Sequence, residues 1–306
     1  MTVAFETPAI EVVSTVRCRV GESPLWSVEE RALWWVDIEG RALHRLAADD
    51  GVTSSWHAGQ RIGCIALHAD GGFVAGLETG VFHLRPRADG RLEADELAGV
   101  QHAREGMRFN DGRCDRRGRF WSATMVRDMT LGAADGALYR FDAHGLSAAL
   151  VSGLLTGNGL AFSPDGGVLY LSDSHPTVQR IWRFDLNDDA SLSNQREFVD
   201  MNKHPGRPDG AAVDADGCYW TCATDAGALL RFTPEGVLDR ALRVPVAKPT
   251  MCAFGGADFG DLYVASITPP QPVEGYDPAV AGALLRLRPG VRGLPEEPFR
   301  PSRPHP

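Results

Sequence analysis

The 306-residue sequence predicts an all-β protein, a six-bladed β-propeller, from three observations. Short β-rich runs are cut by turns of Gly, Asp and Pro, and the chain contains 34 Gly and 20 Pro. No long run has the 3.6-residue apolar period of an amphipathic helix. One strand–turn–strand unit returns six times at intervals of about 40 to 50 residues, which is typical of propeller blades and not of a β-sandwich.

Each repeat consists of an apolar strand, a turn rich in Asp and Gly, an aromatic-rich second strand and a third strand of similar composition. The second strand appears as LWWVD (33–37), FVAGL (73–77), FWSAT (120–124), LYLSD (169–173), YWTCA (219–223) and LYVAS (262–266). We therefore expect a single domain over 1–306 with its core at about 10–290. The segment IEVVSTVRCRV (10–20) is expected to pair beside the C-terminal strands and close the ring, and 291–306, rich in Pro and Arg, to form a flexible tail.

Composition and charge narrow the functional classes. The net charge of -9 is spread along the chain without a long run of Lys and Arg, which argues against a nucleic-acid partner. No segment reaches the ~18 to 20 apolar residues of a membrane span, and the N-terminus lacks a signal-peptide pattern, so we expect a cytoplasmic protein without a membrane partner.

The six cysteines show no CxxC spacing and are expected to be reduced and packed. Trp34, Trp35, Trp121, Trp182 and Trp220 recur in strand registers and are expected to pack between blades.

A ring of polar residues follows from aligning the six first strands on their hairpin turns. Trp26, Leu67, Cys114, Phe162, Val213 and Phe254 then become equivalent, and four residues earlier stand Glu22, Gly63, Asn110, Asn158, Asp209 and Thr250. First strands line the central channel of a propeller, so these positions converge on one axis. Four of them carry the carboxylate and amide oxygens that a hard divalent cation prefers. Each also has a simpler explanation as a turn residue, but together they favour a metal site. Gly63 is expected to leave room for a ligand, and Thr250 either to donate a hydrogen bond or to pack in the core.

Several segments together resemble one known family, the SMP-30/gluconolactonase/regucalcin-like (LRE-like) family. They include GESPLW (21–26), RFNDGRCDRRGRFWSATM (108–125), NGLAFSPDGGVLYLSDS (158–174) and PDGAAVDADGCYW (208–220), and the resemblance spans roughly 21–287. It implies a six-bladed propeller that acts as a metal-dependent lactonase on sugar-acid lactones. It also implies one divalent cation held by Glu22, Asn158 and Asp209, and substrate contacts from Arg108 and Asn110. A further acidic contact would fall on Asp128, in a loop (126–134) that departs from the family pattern.

The predicted reaction is hydrolysis of an aldonolactone to the open aldonic acid by water that attacks a metal-polarised carbonyl. Asp209 is the candidate general base as well as a ligand, and a metal hydroxide acting alone is the alternative. Two other functions stay open: a calcium-dependent phosphotriesterase, and a non-catalytic metal-binding propeller. The sequence does not choose among Ca, Zn, Mn, Mg and Fe(II). The expected partner is a small-molecule sugar lactone, and the expected state a monomer or weak homo-oligomer.

Overall fold

Six antiparallel sheets form the blades of a propeller, which confirms the predicted fold. The computed structural model of the protein describes residues 3–301. The first strand of each blade, called the inner strand below, packs against the inner strands of both neighbouring blades, and the inner strand of blade 6 packs against that of blade 1. No helix in the described part of the chain has the length and apolarity needed to cross a membrane.

The strands are numbered in chain order. Two precede the blades: β1 (Phe5–Glu6) and β2 (Ile10–Val12). Blade 1 contains β3 (Gly21–Ser27), β4 (Ala32–Asp37), β5 (Ala42–Ala47) and β6 (Thr53–His57), and blade 2 contains β7 (Ile62–Leu67), β8 (Phe73–Leu77), β9 (Gly80–Pro86) and β10 (Leu92–Gly99). Blade 3 contains β11 (Met107–Cys114), β12 (Phe120–Val126), β13 (Gly136–Asp142), β14 (Gly145–Leu146) and β15 (Val151–Leu154). Blade 4 contains β16 (Gly157–Phe162), β17 (Val168–Asp173), β18 (Arg180–Leu186) and β19 (Leu192–Asp200). Blade 5 contains β20 (Arg207–Val213), β21 (Tyr219–Thr224), β22 (Ala228–Phe232) and β23 (Leu238–Arg243), and blade 6 contains β24 (Pro249–Gly255), β25 (Asp261–Ser266) and β26 (Leu285–Leu287). Single turns of 3-10 helix lie at Met129–Leu131, Met201–Lys203 and Pro278–Val280.

The N-terminal segment closes the ring, as the sequence predicts. Strand β2 lies antiparallel to β26, with Ile10 opposite Leu287 and Val12 opposite Leu285. The N-terminus thereby supplies the outermost strand of blade 6, and β1 adds a parallel fifth strand to β23 of blade 5. Pairing of the two ends of the chain in one sheet removes the open seam between the first and last blades.

The end of the chain differs from the flexible tail that the sequence predicts. Residues 291–301, called the C-terminal strap below, pack against the propeller, and Phe299 is only 1% exposed. Its backbone N–H donates to the carbonyl of Leu67 at 2.6 Å. The strap has no repeat pattern because its partners are hairpin turns far away in the sequence. Residues 302–306 of the predicted tail lie outside the described residues.

Buried tryptophans fill the blade interfaces, as expected. Trp121 and Trp220 are fully buried, and each indole N–H donates at 2.8 Å to an aspartate six residues earlier, Asp115 and Asp214 respectively. Trp34 and Trp35 are also buried, whereas Trp182 keeps an intermediate exposure. All six cysteines are free and buried, which agrees with the expectation of packed thiols.

We expect Asp214→Ala to lower the free energy of unfolding by about 3 kcal/mol, because Asp214 is fully buried and holds four donors. Its carboxylate accepts from Trp220 Nε1 and Arg231 Nε, both at 2.8 Å, and from the backbone N–H groups of Asp216 and Cys218, both at 3.0 Å. Urea unfolding followed by tryptophan fluorescence measures the loss. Asp216→Ala is the matched control, since its exposed carboxylate pairs with the same arginine and should contribute less than about 1 kcal/mol. Equal losses in the two variants would contradict this assignment.

Candidate functional site

The ring positions share one structural feature, a break in strand pairing. In each inner strand the register with the second strand shifts at or beside the ring residue: between Glu22 and Leu25, Ile62 and Cys64, Phe109 and Gly112, Asn158 and Ala161, Pro208 and Ala211, and Pro249 and Cys252. A β-bulge bends its strand and re-aims the side chain that it carries. The sequence alignment therefore identifies six equivalent bulges near the start of the inner strands, at what we call the ring end of the channel.

Two of the six ring positions serve the architecture. A Cβ atom on Gly63 would lie 2.3 Å from the carbonyl oxygen of Phe109, so this glycine makes room for the neighbouring inner strand and not for a ligand, contrary to expectation. Thr250 is fully buried, and its hydroxyl donates to the carbonyl of Gly21. Thr250 therefore fills both expected roles: it packs in the core, and it donates a hydrogen bond that joins blade 6 to blade 1.

Two acidic ring residues lie in an environment that opposes their ionisation. Burial raises the pKa of Asp209 to about 7, with a further rise from the charge of Asp111, while Arg207 and the amide of Asn158 act in the opposite direction. Desolvation also raises the pKa of Glu22 well above its ordinary value, followed by the charges of Asp209 and Asp111, against a lowering by Arg108. The two carboxylates therefore repel each other across the channel in the absence of a cation.

Asp111 is a third acid at this site, which the sequence analysis did not identify. It is 5% exposed, its Oδ2 accepts from the backbone N–H of Leu160 at 2.7 Å, and its Oδ1 is buried without a partner. Burial is the largest cause that raises its pKa. Asp111 follows the ring residue Asn110, and strand alternation assigns such neighbours to opposite faces. The bulge between Phe109 and Gly112 breaks that alternation, so both side chains can lie at the same site. The sequence feature that could have identified Asp111 is the adjacent amide and acid in RFND.

Asn158 bridges two parts of the ring. Its Nδ2 donates to Asp209 Oδ1, and its Oδ1 accepts from the backbone N–H of Gly159 at 3.1 Å. Gly159 has a φ of 58°, and a Cβ there would lie 2.5 Å from the hydroxyls of Ser172 and Tyr219. Only glycine suits this conformation and space, so Gly159 fixes the bulge that presents Asn158.

Arg108 and Asn110 lie beside the acids. Arg108 is 8% exposed, and its Nη1 donates to the carbonyl of Phe109 at 2.9 Å and to Asn110 Oδ1. Its Nε is buried without a partner. Burial lowers the pKa of Arg108 to about 10, against an opposing effect of Glu22. Asn110 Nδ2 donates to the carbonyl of Gly157 at 2.9 Å, which ties blade 3 to blade 4.

Asp128 lies apart from this group. It is exposed and caps the 3-10 helix Met129–Leu131, because its Oδ1 accepts from the backbone N–H of Thr130 at 3.1 Å and from its hydroxyl at 2.6 Å. The structure brings Glu22, Asp209 and their neighbours together, but among the described residues no hydrogen bond or ion pair joins Asp128 to them. Its role as a substrate contact stays a prediction.

Glu22, Asp209 and Asn158 carry the oxygen donors that a divalent cation prefers. In the described part of the chain, Glu22, Asp111 and Asp209 have no Lys, Arg or His nitrogen within 4.0 Å, so their charges are not neutralised by an ion pair. No cluster of three or more His, Cys, Asp and Glu side chains in residues 3–301 suits a metal, so a cation held by Glu22 and Asp209 would need a third ligand of another type, such as an amide oxygen. Asn158 can do this if its amide turns its oxygen into the channel, a rotation by half a turn.

Comparison with known proteins agrees with this architecture. Residues 20–268 match the SMP-30/Gluconolactonase/LRE-like region. The chain is 36% identical to the 6-deoxy-6-sulfogluconolactonase of Pseudomonas putida, an alignment that covers 93% of this chain and 98% of the relative. It is 30% identical to a pentonolactonase of Haloferax volcanii, with coverages of 91% and 94%. A crystal structure of regucalcin from Agrobacterium tumefaciens, described as a calcium-binding protein, superposes with a TM-score of 0.87 at 26% identity and covers 98% of this chain and 100% of that one. The chain therefore belongs to the SMP-30/gluconolactonase/LRE-like family.

Proposed function

We propose that this protein is a lactonase that hydrolyses a sugar-acid lactone to the open-chain aldonic acid with one divalent cation, held by Glu22, Asn158 and Asp209. One observation carries the proposal: desolvated carboxylates converge at the ring end of the channel without an ion pair, next to an arginine with an unpartnered N–H. Such an arrangement opposes folding unless a ligand compensates it, so it favours a functional site over a structural one. The lactonases among the relatives supply the substrate class.

The cation, when bound, supplies Lewis-acid polarisation of the lactone carbonyl. Arg108 contributes its free Nε–H, which can donate to the carbonyl oxygen as negative charge develops there. The side chain of Asn110 is held by two neighbours, the guanidinium of Arg108 and the carbonyl of Gly157, so it offers a fixed polar group to a sugar hydroxyl. These two residues therefore bind and orient the lactone.

Asp209 is the proposed general base. Burial raises the pKa of Asp209 to about 7 in the metal-free protein, and a bound cation would lower this pKa, so the carboxylate would be ionised and able to accept a proton from water at neutral pH. In the metal-free protein Asn158 Nδ2 donates to Asp209 Oδ1. With the amide turned towards the cation, Asp209 Oδ1 would be free to act as the ligand, and Oδ2 would take the proton from the water that attacks the acyl carbon. The C–O bond of the lactone ring would then break, and this proton would pass to the ring oxygen, which becomes a hydroxyl of the open acid. The competing route, in which water is activated by the cation without a protein base, predicts that Asp209→Asn keeps substantial activity whenever it still binds the cation.

The reaction and its metal are tested together by assaying acid release from gluconolactone, xylonolactone, arabinolactone and galactonolactone. The protein is first treated with a chelator, and Ca, Zn, Mn, Mg and Fe(II) are then restored one at a time. We expect turnover above the spontaneous rate to disappear on chelation and to return with at least one cation. If the rate of lactone turnover is the same before and after chelation, the metal-dependent mechanism is refuted. Metal binding without turnover would support the non-catalytic propeller, and faster hydrolysis of a phosphotriester would support the phosphotriesterase.

A further inference from the structure

The C-terminal strap crosses the end of the channel opposite the ring. The inner strands begin at the ring end and run to the hairpin turns that precede the second strands, and the strap contacts these turns in four blades. Its backbone bonds are Gly293 N–H to Phe259 O at 2.9 Å in blade 6, Ala215 N–H to Arg292 O at 2.8 Å in blade 5, Arg300 N–H to Gly118 O at 2.9 Å in blade 3 and Phe299 N–H to Leu67 O at 2.6 Å in blade 2.

Phe299 anchors the strap between blades 2 and 3. Its ring lies 5.3 Å from that of His68 and 5.3 Å from that of Phe141 between centroids, and it belongs to the same buried cluster as Cys114. Burial of a phenylalanine side chain stabilises the packed arrangement through the hydrophobic effect. The anchor therefore holds the strap against the propeller and covers the cysteine at the end of inner strand β11.

Glu296 reaches the channel axis from the strap. It lines a small cavity together with residues from the inner strands of four blades: Ser23, Ile65, Gly112 and Met251. Its Oε1 accepts from Arg113 Nη1, and Arg113 Nη2 donates to the carbonyl of Ala211 at 2.8 Å. Both side chains are largely buried, with 10% of Arg113 and 18% of Glu296 exposed. The pair thus closes the channel with a bond between the strap and blade 3.

The same pair acts on the acid beneath the ring. Arg113 lies two residues after Asp111 on β11. After the dominant effect of burial and the bond from Leu160, Arg113 lowers the pKa of Asp111 and Glu296 raises it, so all three charges lie within electrostatic reach of one another. Without Glu296, the guanidinium of Arg113 would lose its ion pair and leave an uncompensated positive charge below the ring.

We propose that the C-terminal strap is part of the functional site: it seals the far end of the channel, and its Glu296 pairs with Arg113 and so offsets a positive charge that would otherwise repel a cation at the ring. Arg113 and Glu296 are positioning residues, since neither belongs to the proposed ligand set. The inference rests on the proposed cation site for its electrostatic part and on packing alone for the seal.

The electrostatic part is tested by Glu296→Gln, which keeps the size of the side chain and removes one negative charge from the axis. Calorimetric titration of the chelator-treated protein with Ca²⁺, and with any other cation that restores activity, should give affinity about threefold to tenfold weaker than that of the wild type, the size expected for one charge roughly 10 Å from a divalent ion. Glu297→Gln is the matched control, because it removes the same charge from the next residue, which pairs with Arg300 at 3.9 Å. We expect a change of less than about twofold there. Equal affinities of the wild type and Glu296→Gln would overturn the positioning role, whereas a wild type that binds no cation would refute the proposed function instead.

The seal is tested without a metal, through the thiol of Cys114. This thiol is 4% exposed and burial raises its pKa well above the ordinary value, so the folded wild type should not react with an aromatic disulfide reagent. Phe299→Ala should make one thiol react at least about tenfold faster, and adding Cys114→Ser should abolish that reaction. Phe5→Ala is the control, since it removes an aromatic ring from the other terminal segment. If the thiol of Cys114 reacts no faster in folded Phe299→Ala than in the wild type, the proposed seal is wrong. If the alanine variant does not fold, the same measurement is made on Phe299→Leu.

Discussion

We expect Asp209→Ala to abolish stoichiometric cation binding and to lower kcat/KM for the best lactone by about a thousandfold or more. A metal ion acting as a Lewis acid contributes several kcal/mol to a transition state, and each 1.36 kcal/mol corresponds to about a tenfold change in rate. The same substitution should leave the thermal midpoint of the metal-free protein unchanged or raise it. It removes a carboxylate that burial and Asp111 hold at a pKa of about 7, and hence a source of repulsion. Calorimetric titration, steady-state kinetics and thermal unfolding measure the three effects.

The stability of the metal-free variant separates this role from that of an ordinary turn residue in RPDG (207–210). A turn aspartate replaced by alanine would destabilise the protein with or without a cation. Asp225→Asn is the matched control, because Asp225 is an exposed acid on the same blade that pairs with Arg207 and Lys248. Cation binding should persist in that variant. A loss of metal-free stability in Asp209→Ala with retained cation binding would refute the ligand assignment.

For Arg108→Met we expect two effects of opposite sign. The value of kcat/KM should fall by about a hundredfold to a thousandfold, which is the effect of removing one donor to a developing oxyanion. Cation affinity should rise by about threefold, because a buried positive charge that acts on Glu22 is removed. Kinetics with saturating cation and calorimetric titration of the metal-free protein measure these changes separately.

The control for Arg108→Met is Arg207→Met. Arg207 also acts on a ring acid, Asp209, but its guanidinium is engaged by Asp225 at 2.6 Å and by the carbonyl of Ser174 at 3.0 Å. Arg207→Met should show a similar gain in cation affinity but a much smaller fall in kcat/KM than Arg108→Met. Similar kinetic losses in both variants would show that general electrostatics, and not a substrate contact, explains the effect of Arg108.

The fold and the ring could be predicted from the sequence because both depend on local spacing. Each blade repeats its turn chemistry, and the distance from the ring residue to the hairpin turn is the same four residues in all six inner strands. The structure shows that this constant spacing runs from a bulge to a turn. Thus Asn158 could be recognised as a member of the ring although Gly157 and Gly159 beside it are typical of a simple turn.

The remaining features depend on contacts that local spacing does not encode. Asp111 lies at the ring because a bulge interrupts strand alternation, and Gly63 is required by the close approach of another blade. The strap pairs Glu296 with Arg113, which lies 183 residues earlier in the chain. A segment rich in Pro and Arg has no sequence pattern that predicts which distant residues it contacts, and its composition resembles that of a disordered tail.

The bulges also divide the molecule into two parts that can change independently. On the substrate side of the ring, the starts of the inner strands and the loops that lead into them face the ligand that enters the channel. On the other side of the ring, the same strands pack into the blades. Because pairing is interrupted at this level in every blade, an insertion or a register change on the substrate side need not propagate into the packed side. New substrate preferences could therefore evolve, or be engineered, by exchanging the loops at the ring end while the ligand-bearing bulges and the core below them stay the same.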